Sequence, residues 1–204
     1  MESKPKKRDF PHWESLYQES PIEKMPWFYK DLDPDIKKAL KDYQVPLGSC
    51  LDLGTGPGTQ AVALASLGFI VTATDLSAKA IDLAQSKAQA QALKIQWQQD
   101  DFLKTQLKTS FDLVIDRGVF HIFEEEGRQQ YLKNMQKLLK PGGYLFLKCF
   151  SKKETREEGP YRFNPEEIEA YFSPYFEILS IKETVYYGTL DPWPKALFMV
   201  MKRL

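Results

Sequence analysis

The residues of this chain best suited to chemistry stand in Cys50-Leu51-Asp52-Leu53-Gly54-Thr55-Gly56-Pro57-Gly58-Thr59. A short apolar run ends there in a loop with glycine at every second position. A helical stretch from Gln60 to Leu67 follows, and Gly68 stops it. Glycine lets the backbone turn sharply and approach a ligand with no Cβ between them. A loop of this kind at a helix start also presents unpaired N–H groups. A dinucleotide fingerprint asks for G-x-G-x-x-G. Here Thr59 stands where that pattern wants its third glycine, and Gly58 comes one position early. The next apolar run, Phe69 to Thr74, ends in Asp75. That is at about the 20-residue distance expected of a ribose-binding carboxylate. Its two oxygens can accept both hydroxyls of a ribose, and its charge repels a 2′-phosphate. Loop and carboxylate together point to an adenosine-type ligand with a free ribose.

These residues resemble the class I S-adenosylmethionine-dependent methyltransferases. Leu51 to Gly58 is similar to the first motif of that family, and Asp75 matches the acidic residue of the second. The resemblance implies a Rossmann-like α/β fold. Its seven-stranded mixed sheet is parallel except for a C-terminal antiparallel hairpin strand, with helices on both faces. It implies S-adenosyl-L-methionine as cofactor and S-adenosyl-L-homocysteine as its product. The activity implied is in-line transfer of a methyl group to a small-molecule acceptor. Asp52, Gly54, Thr55, Gly56, Gly58 and Thr59 then belong to the loop that holds the methionine part. Asp75 takes the ribose, with Leu76 and Ser77 beside it; an apolar residue such as Leu76 lies against the adenine in the family.

A carboxylate for the adenine amino group is expected after the short strand Ile95 to Gln98. Asp101, just before the aromatic Phe102, is the first choice and Asp100 the second. The other reading is an acidic turn, since Asp favours turns. The loop Asp116-Arg117-Gly118-Val119-Phe120-His121 borders cofactor and substrate in the family, and Asp116, Arg117 and Gly118 join the cofactor set. That string resembles the thiopurine- and tellurite-resistance-type small-molecule enzymes. The Asp/Asn-Pro-Pro-aromatic signature of amino-methylating DNA enzymes is absent. Trp13 and Pro26-Trp27 resemble the N-terminal aromatic segment of the same small-molecule types, and Trp27 is placed on the cofactor. That segment reads equally as a lid or as cover for the sheet end.

His121 and Arg117 are the candidate substrate contacts. A histidine near neutral pKa can remove a substrate proton, or it can simply orient its loop. Arg117 can bind an anionic group of the substrate or pair with a local carboxylate. Neither is required, because an activated methyl group needs positioning more than a protein nucleophile.

The elements that must position these residues are marked in the chain. Asp33 reads as an N-cap with Pro34 at N1, before a helix with Ile36, Ala39, Leu40 and Tyr43 on one face. Ser77 caps a helix running to about Leu93. Phe111 to Ile115 reads as a fourth strand. Glu124 to Glu126 opens the next helix and Lys137 and Lys140 close it, matching the helix dipole. Pro141-Gly142-Gly143 stops it before a fifth strand, Tyr144 to Phe150. Asn164-Pro165-Glu166-Glu167 is a capping box. Strands over roughly 176–187 and 195–202 form the closing hairpin, with Trp193 in its turn.

Two units are expected: an N-terminal aromatic lid and helix over 1–44, and a methyltransferase domain over 45–204. The chain of 204 residues is 43% hydrophobic and 27% charged, ordinary for a globular protein. Lys plus Arg and Asp plus Glu number 28 each, so no basic footprint for nucleic acid is read. Lys4, Lys6, Lys7 and Arg8 form a solvated basic run. No apolar stretch suggests a secretory signal or a membrane span. Cys50 and Cys149 read as core residues, and no metal site is indicated. A cytoplasmic enzyme is the expectation; oligomeric state is not legible. The rivals are a cofactor-binding protein without catalysis, a nicotinamide oxidoreductase on a related fold, and a methyltransferase of macromolecules, for which charge and motif disfavour nucleic acid and leave a protein substrate open.

Overall fold

The computed structural model describes residues 8–89 and 91–204; Lys4, Lys6 and Lys7 lie outside them. The strands are β1 (Ser49–Leu53), β2 (Ile70–Asp75), β3 (Gln96–Gln99), β4 (Phe111–Arg117), β5 (Leu139–Ser151), β6 (Arg162–Phe163), β7 (Phe176–Val185) and β8 (Lys195–Arg203). They form one sheet in the order β3-β2-β1-β4-β5-β8-β7, with the two-residue β6 paired to β5 off that path. β1 to β5 run parallel, while β8 is antiparallel to both of its neighbours. This is the mixed sheet with one reversed hairpin strand that the sequence implies.

The helices are α1 (Trp13–Glu19), α2 (Pro34–Asp42), α3 (Thr59–Ser66), α4 (Ala78–Gln89), α5 (Glu125–Leu138) and α6 (Pro165–Phe172). Successive strand residues point to opposite faces, so the central strands are apolar throughout and build two cores. Val114, Leu145 and Leu147 pack with Leu132 and Met135 of α5 and with Ile168 and Phe172 of α6. Leu113, Ile115 and Phe146 pack on the other face with Ile36 of α2 and Ala61 and Leu64 of α3.

Local signals set the helix ends. Asp33 Oδ1 accepts from the Asp35 N–H at 3.0 Å, and Asn164 and Glu167 form a complete capping box. The Ala80 N–H donates to Ser77 Oγ at 3.0 Å. α4 stops at Gln89, short of Leu93, and Ala92 has a φ of 54° that no right-handed helix accommodates. Pro141-Gly142-Gly143 separates no helix from strand. It is absorbed into β5, whose pairing with β4 shifts register between Phe111 and Leu113.

The N-terminal segment crosses the carboxyl edge of the sheet. Glu14 Oε2 in α1 accepts from Ser77 Oγ at 2.7 Å and from the Lys79 N–H at 3.2 Å. At its other end the Pro26 carbonyl accepts from the Thr189 N–H at 3.1 Å. The segment is thus tied both to the start of α4 and to the β7–β8 connection. Among the described residues no helix is long and apolar enough to cross a membrane.

Candidate active site

β1 and β2 pair in step from Ser49 with Ile70 to Leu53 with Thr74. Both therefore end at the same edge, where ligands bind in open α/β sheets. β1 runs into the glycine loop, with φ of 66° at Gly54 and 51° at Gly56. Those conformations are strained for any residue with a Cβ. A Cβ on Gly54 would lie 2.3 Å from Val119 Cγ2, and one on Gly56 2.7 Å from Tyr17 Oη. The loop is hemmed in by the β4 loop on one side and by the N-terminal segment on the other.

Asp75 ends β2 and braces that loop. Its Oδ2 accepts from the Gly56 N–H at 2.8 Å and its Oδ1 from the Ser77 N–H at 2.9 Å. Each oxygen keeps a second lone pair for a ligand diol. Burial raises its pKa, and the N–H bonds from Ser77 and Gly56 oppose the rise.

A cavity of about 1320 Å³ opens over this corner. Gly54, Asp75, Leu76, Asp100, Asp101 and Phe102 wall it on the β1–β3 side. Arg117, Gly118 and His121 wall it from the loop after β4, and Trp27 from the N-terminal segment. Asp52, Thr55, Gly56 and Thr59 line a small second cavity that shares Trp27, Gly54 and Arg117 with the first. Gly58, Ser77 and Asp116 line neither.

Those three hold backbone behind the wall. A Cβ on Gly58 would sit 2.7 Å from Ala84 Cβ, so the glycine lets α3 approach α4. Ser77 caps α4 and reaches Glu14. Asp116 accepts from the N–H groups of Gly118, Val119 and Phe120 and from Tyr131 Oη. Burial pushes its pKa up to about 6 against those bonds. Asp52, likewise raised to about 6 by burial, accepts from Thr55 Oγ1 at 2.5 Å.

The adjacent carboxylates differ. Asp101 Oδ1 accepts from the Leu103 N–H at 3.0 Å and caps the short turn Phe102–Lys104. Asp100 Oδ1 accepts from the Gln106 N–H at 3.1 Å, but its Oδ2 is buried with no partner. An orphaned buried acceptor on a cavity residue suits a ligand amino group.

The two substrate-contact candidates are both engaged. Arg117 Nε donates to Asp33 Oδ2 at 2.8 Å and Nη1 to the Trp27 carbonyl at 2.9 Å. Its Nη2 donates to the Tyr187 carbonyl, and its guanidinium lies 4.6 Å from the Tyr186 ring centre. Of the two readings, the local ion pair is the one present, with Asp33 as partner. His121 Nδ1 accepts from the Phe150 N–H at 3.2 Å, which puts the ring proton on Nε2, towards the Gly118 backbone. Burial is the main reason its pKa falls to about 3.

Several residues here were not legible in the sequence as site residues. Tyr17 stands over Gly56, Tyr186 donates to the Arg117 carbonyl, and Glu14 braces Ser77. The one available signal was Lys148, a lone charge in the apolar run of β5. It is 1% exposed and lies against Asp33.

An open α/β sheet with a glycine corner, an acidic residue at the next strand end and a roofed cavity over both defines a nucleoside-binding enzyme class. Residues 50–143 match the family described as a methyltransferase domain. Probable thiol methyltransferase 2 of Arabidopsis thaliana is 31% identical over 159 residues, covering 76% of this chain and 70% of that one. Thiocyanate methyltransferase 1 of Brassica oleracea is 28% identical over 177 residues, covering 85% and 77%. A solved structure concerns conversion of a disulfide bond into a thioacetal group during echinomycin biosynthesis. It superposes with a TM-score of 0.80 at 27% identity, covering 94% of this chain and 90% of that one. The chain belongs to the class I S-adenosylmethionine-dependent methyltransferases. Its cofactor is S-adenosyl-L-methionine, and these relatives favour neither a binding protein without catalysis nor a nicotinamide oxidoreductase.

Proposed function

We propose that the protein transfers the methyl group of S-adenosyl-L-methionine to a small, thiol-type acceptor. The carrying observation is one continuous cavity running from Asp75 and Gly54 to an aromatic wall at Phe123, Phe150 and Tyr186. The relatives named for thiol and thiocyanate methylation support a sulfur acceptor.

The residues at the corner fit the cofactor. Asp75 would hold the ribose, the Gly54–Gly56 backbone the methionine part, and Leu76 and Phe102 the faces of the adenine. Asp100, with its unpartnered buried oxygen, is assigned to the adenine amino group ahead of Asp101. The cofactor supplies a methyl group already activated on a sulfonium, ready for in-line displacement. The protein's share is alignment, which can be worth about 7–11 kcal/mol.

Trp13, Tyr17 and Trp27 roof the cavity and exclude water. Trp13 and Trp27 meet edge to face with ring centres 5.7 Å apart. We therefore assign residues up to 44 to a cap and 45–204 to the catalytic unit. His121 and Arg117 are positioning residues: the ring and the guanidinium spend their hydrogen bonds on the loop and on the cap. With no free base at His121, a thiol acceptor must ionise itself and react as the thiolate. Net charge zero argues against nucleic acid as the substrate. Two free, buried cysteines suit a reducing cytoplasm.

A panel of thiols, phenols and amines, read by release of S-adenosyl-L-homocysteine, tests the acceptor. Turnover confined to phenols or amines overturns the thiol assignment.

A further inference from the structure

Two guanidiniums on the β5 side of the cavity have no part in the assignments above. Arg162 belongs to β6, paired beside Phe150 and Ser151 of β5. β1 and β4 lie between that place and Asp75 on β2. The Tyr161 N–H donates to the His121 carbonyl at 2.9 Å, which fixes Arg162 relative to the loop after β4. Arg162 Nη2 donates to the Glu158 carbonyl at 3.0 Å, while its Nε is buried with no partner. Arg8 is the second cation. Its backbone N–H donates to Tyr161 Oη at 3.2 Å, and its Nη1 donates to the Glu157 carbonyl. Both side chains belong to cavity-lining residues. Burial first, and then the charge of Arg8, holds the Arg162 pKa below its usual value.

Of the nearby carboxylates only Glu154 offsets Arg162 through its charge, and it forms no ion pair with it. Glu154 is paired with Arg156 at 3.1 Å and also accepts from the Arg156 and Lys195 N–H groups. Asp9, Glu157 and Glu158 line the same end on exposed residues. Among the described residues neither Arg8 nor Arg162 has an ion-pair partner, and the side-chain bonds of both go to neutral carbonyls. Two cations side by side repel, and a guanidinium with an unused buried donor is suited to a carboxylate or thiolate. An acceptor that arrives as an anion also needs no base, which agrees with the engaged state of His121.

We propose that Arg162 and Arg8 form an anion subsite at the acceptor end of the cavity, so that the methyl acceptor is an organic anion. The proposal deepens the methyl-transfer reading and rests on it. Benzoate and benzamide, alike in shape and differing in charge, are the probes. Calorimetry with the full chain, with and without S-adenosyl-L-homocysteine, should show benzoate binding ~tenfold or more tightly than benzamide. Added salt should reduce that preference. Arg162→Gln should abolish it, Arg8→Gln should weaken it, and Arg162→Lys, which keeps the charge, should retain part of it. Equal affinities in the unmodified protein, no binding of either probe, or a preference unchanged in Arg162→Gln overturns the subsite. Failure of S-adenosyl-L-homocysteine itself to bind, measured in the same titrations, counts against the cofactor assignment and is read separately.

Discussion

Lys148 Nζ lies 2.8 Å from both carboxylate oxygens of Asp33, and the two side chains are 1% and 0% exposed. Arg117 Nε holds the same carboxylate at 2.8 Å, and Asp35 meets Lys148 at 2.7 Å. Two cations thus face two carboxylates in a nearly dry cluster. It fastens the start of α2, inside the N-terminal cap, to the last residue of β4 and to β5. Burial alone would raise the Asp33 pKa, but the charges of Lys148 and Arg117 together hold it below its usual value.

Lys148→Ala removes one partner and leaves buried negative charge short of compensation. Urea denaturation should show a loss of about 3–5 kcal/mol. A loss below about 1 kcal/mol would mean Arg117 alone suffices to neutralise Asp33.

Asp75→Ala takes away the brace of the Gly56 N–H and the proposed ribose contact together. Hydrogen bonds to charged groups are worth about 1.5–3 kcal/mol each. Calorimetric affinity for S-adenosyl-L-homocysteine should fall by at least ~tenfold, and an unchanged value refutes the ribose assignment.

Gly56→Ala combines a φ of 51° with a Cβ 2.7 Å from Tyr17 Oη. Backbone strain of this kind costs about 1–3 kcal/mol. Tyr17→Phe removes the clashing oxygen, so the double variant should recover cofactor affinity relative to Gly56→Ala. Strict additivity of the two substitutions would show that the tyrosine does not confine the loop.

The pKa of His121 is depressed in the folded state, from 6.5 to about 3. Between those values the unfolded chain takes up a proton that the folded one refuses. Stability from this group is therefore full above 6.5 and is lost as pH falls through that window. Asp52 and Asp116, raised to about 6, act in the opposite sense between about 4 and 6. His121→Gln should flatten the loss of stability from pH 7 to 5.5 by about 1 kcal/mol, measured by urea denaturation at both pH values. An NMR titration should find the His121 ring uncharged at pH 5.

The same engaged histidine bears on turnover. With a series of thiols, the rise of kcat/KM with pH should follow each thiol's own pKa. One common inflection for all acceptors would instead reveal a protein base.

Features carried by short stretches of chain were readable from sequence. The Gly54 to Gly58 loop, the Asp33 cap and the Asn164 capping box each depend on residues a few positions apart. The reversed last hairpin follows from a short connection. Features that depend on strand order were not readable. Asp33 and Lys148 stand 115 positions apart, and nothing local marks Asp33 as more than a cap. Tyr17 meets Gly56, and Arg8 meets Arg162, only because the N-terminal segment crosses the sheet edge. Asp100 and Asp101 are adjacent and each engages one oxygen, and only the fold decides that the free oxygen of Asp100 is the buried one. Pro141-Gly142-Gly143 has the composition of a stop, yet it is taken into β5 as the irregular stretch between Leu139 and Tyr144, which pair with β4 on either side of it.

β8 comes last among the described strands, yet it lies inside the sheet between β5 and β7. While the polypeptide is being made, the outer edge of β5 stays open until Lys195–Arg203 leaves the ribosome. An open apolar edge is a template for pairing with other chains. Until β8 emerges the nascent chain is therefore adhesive, a client for chaperones. A stop codon placed just before β8 would make that condition permanent.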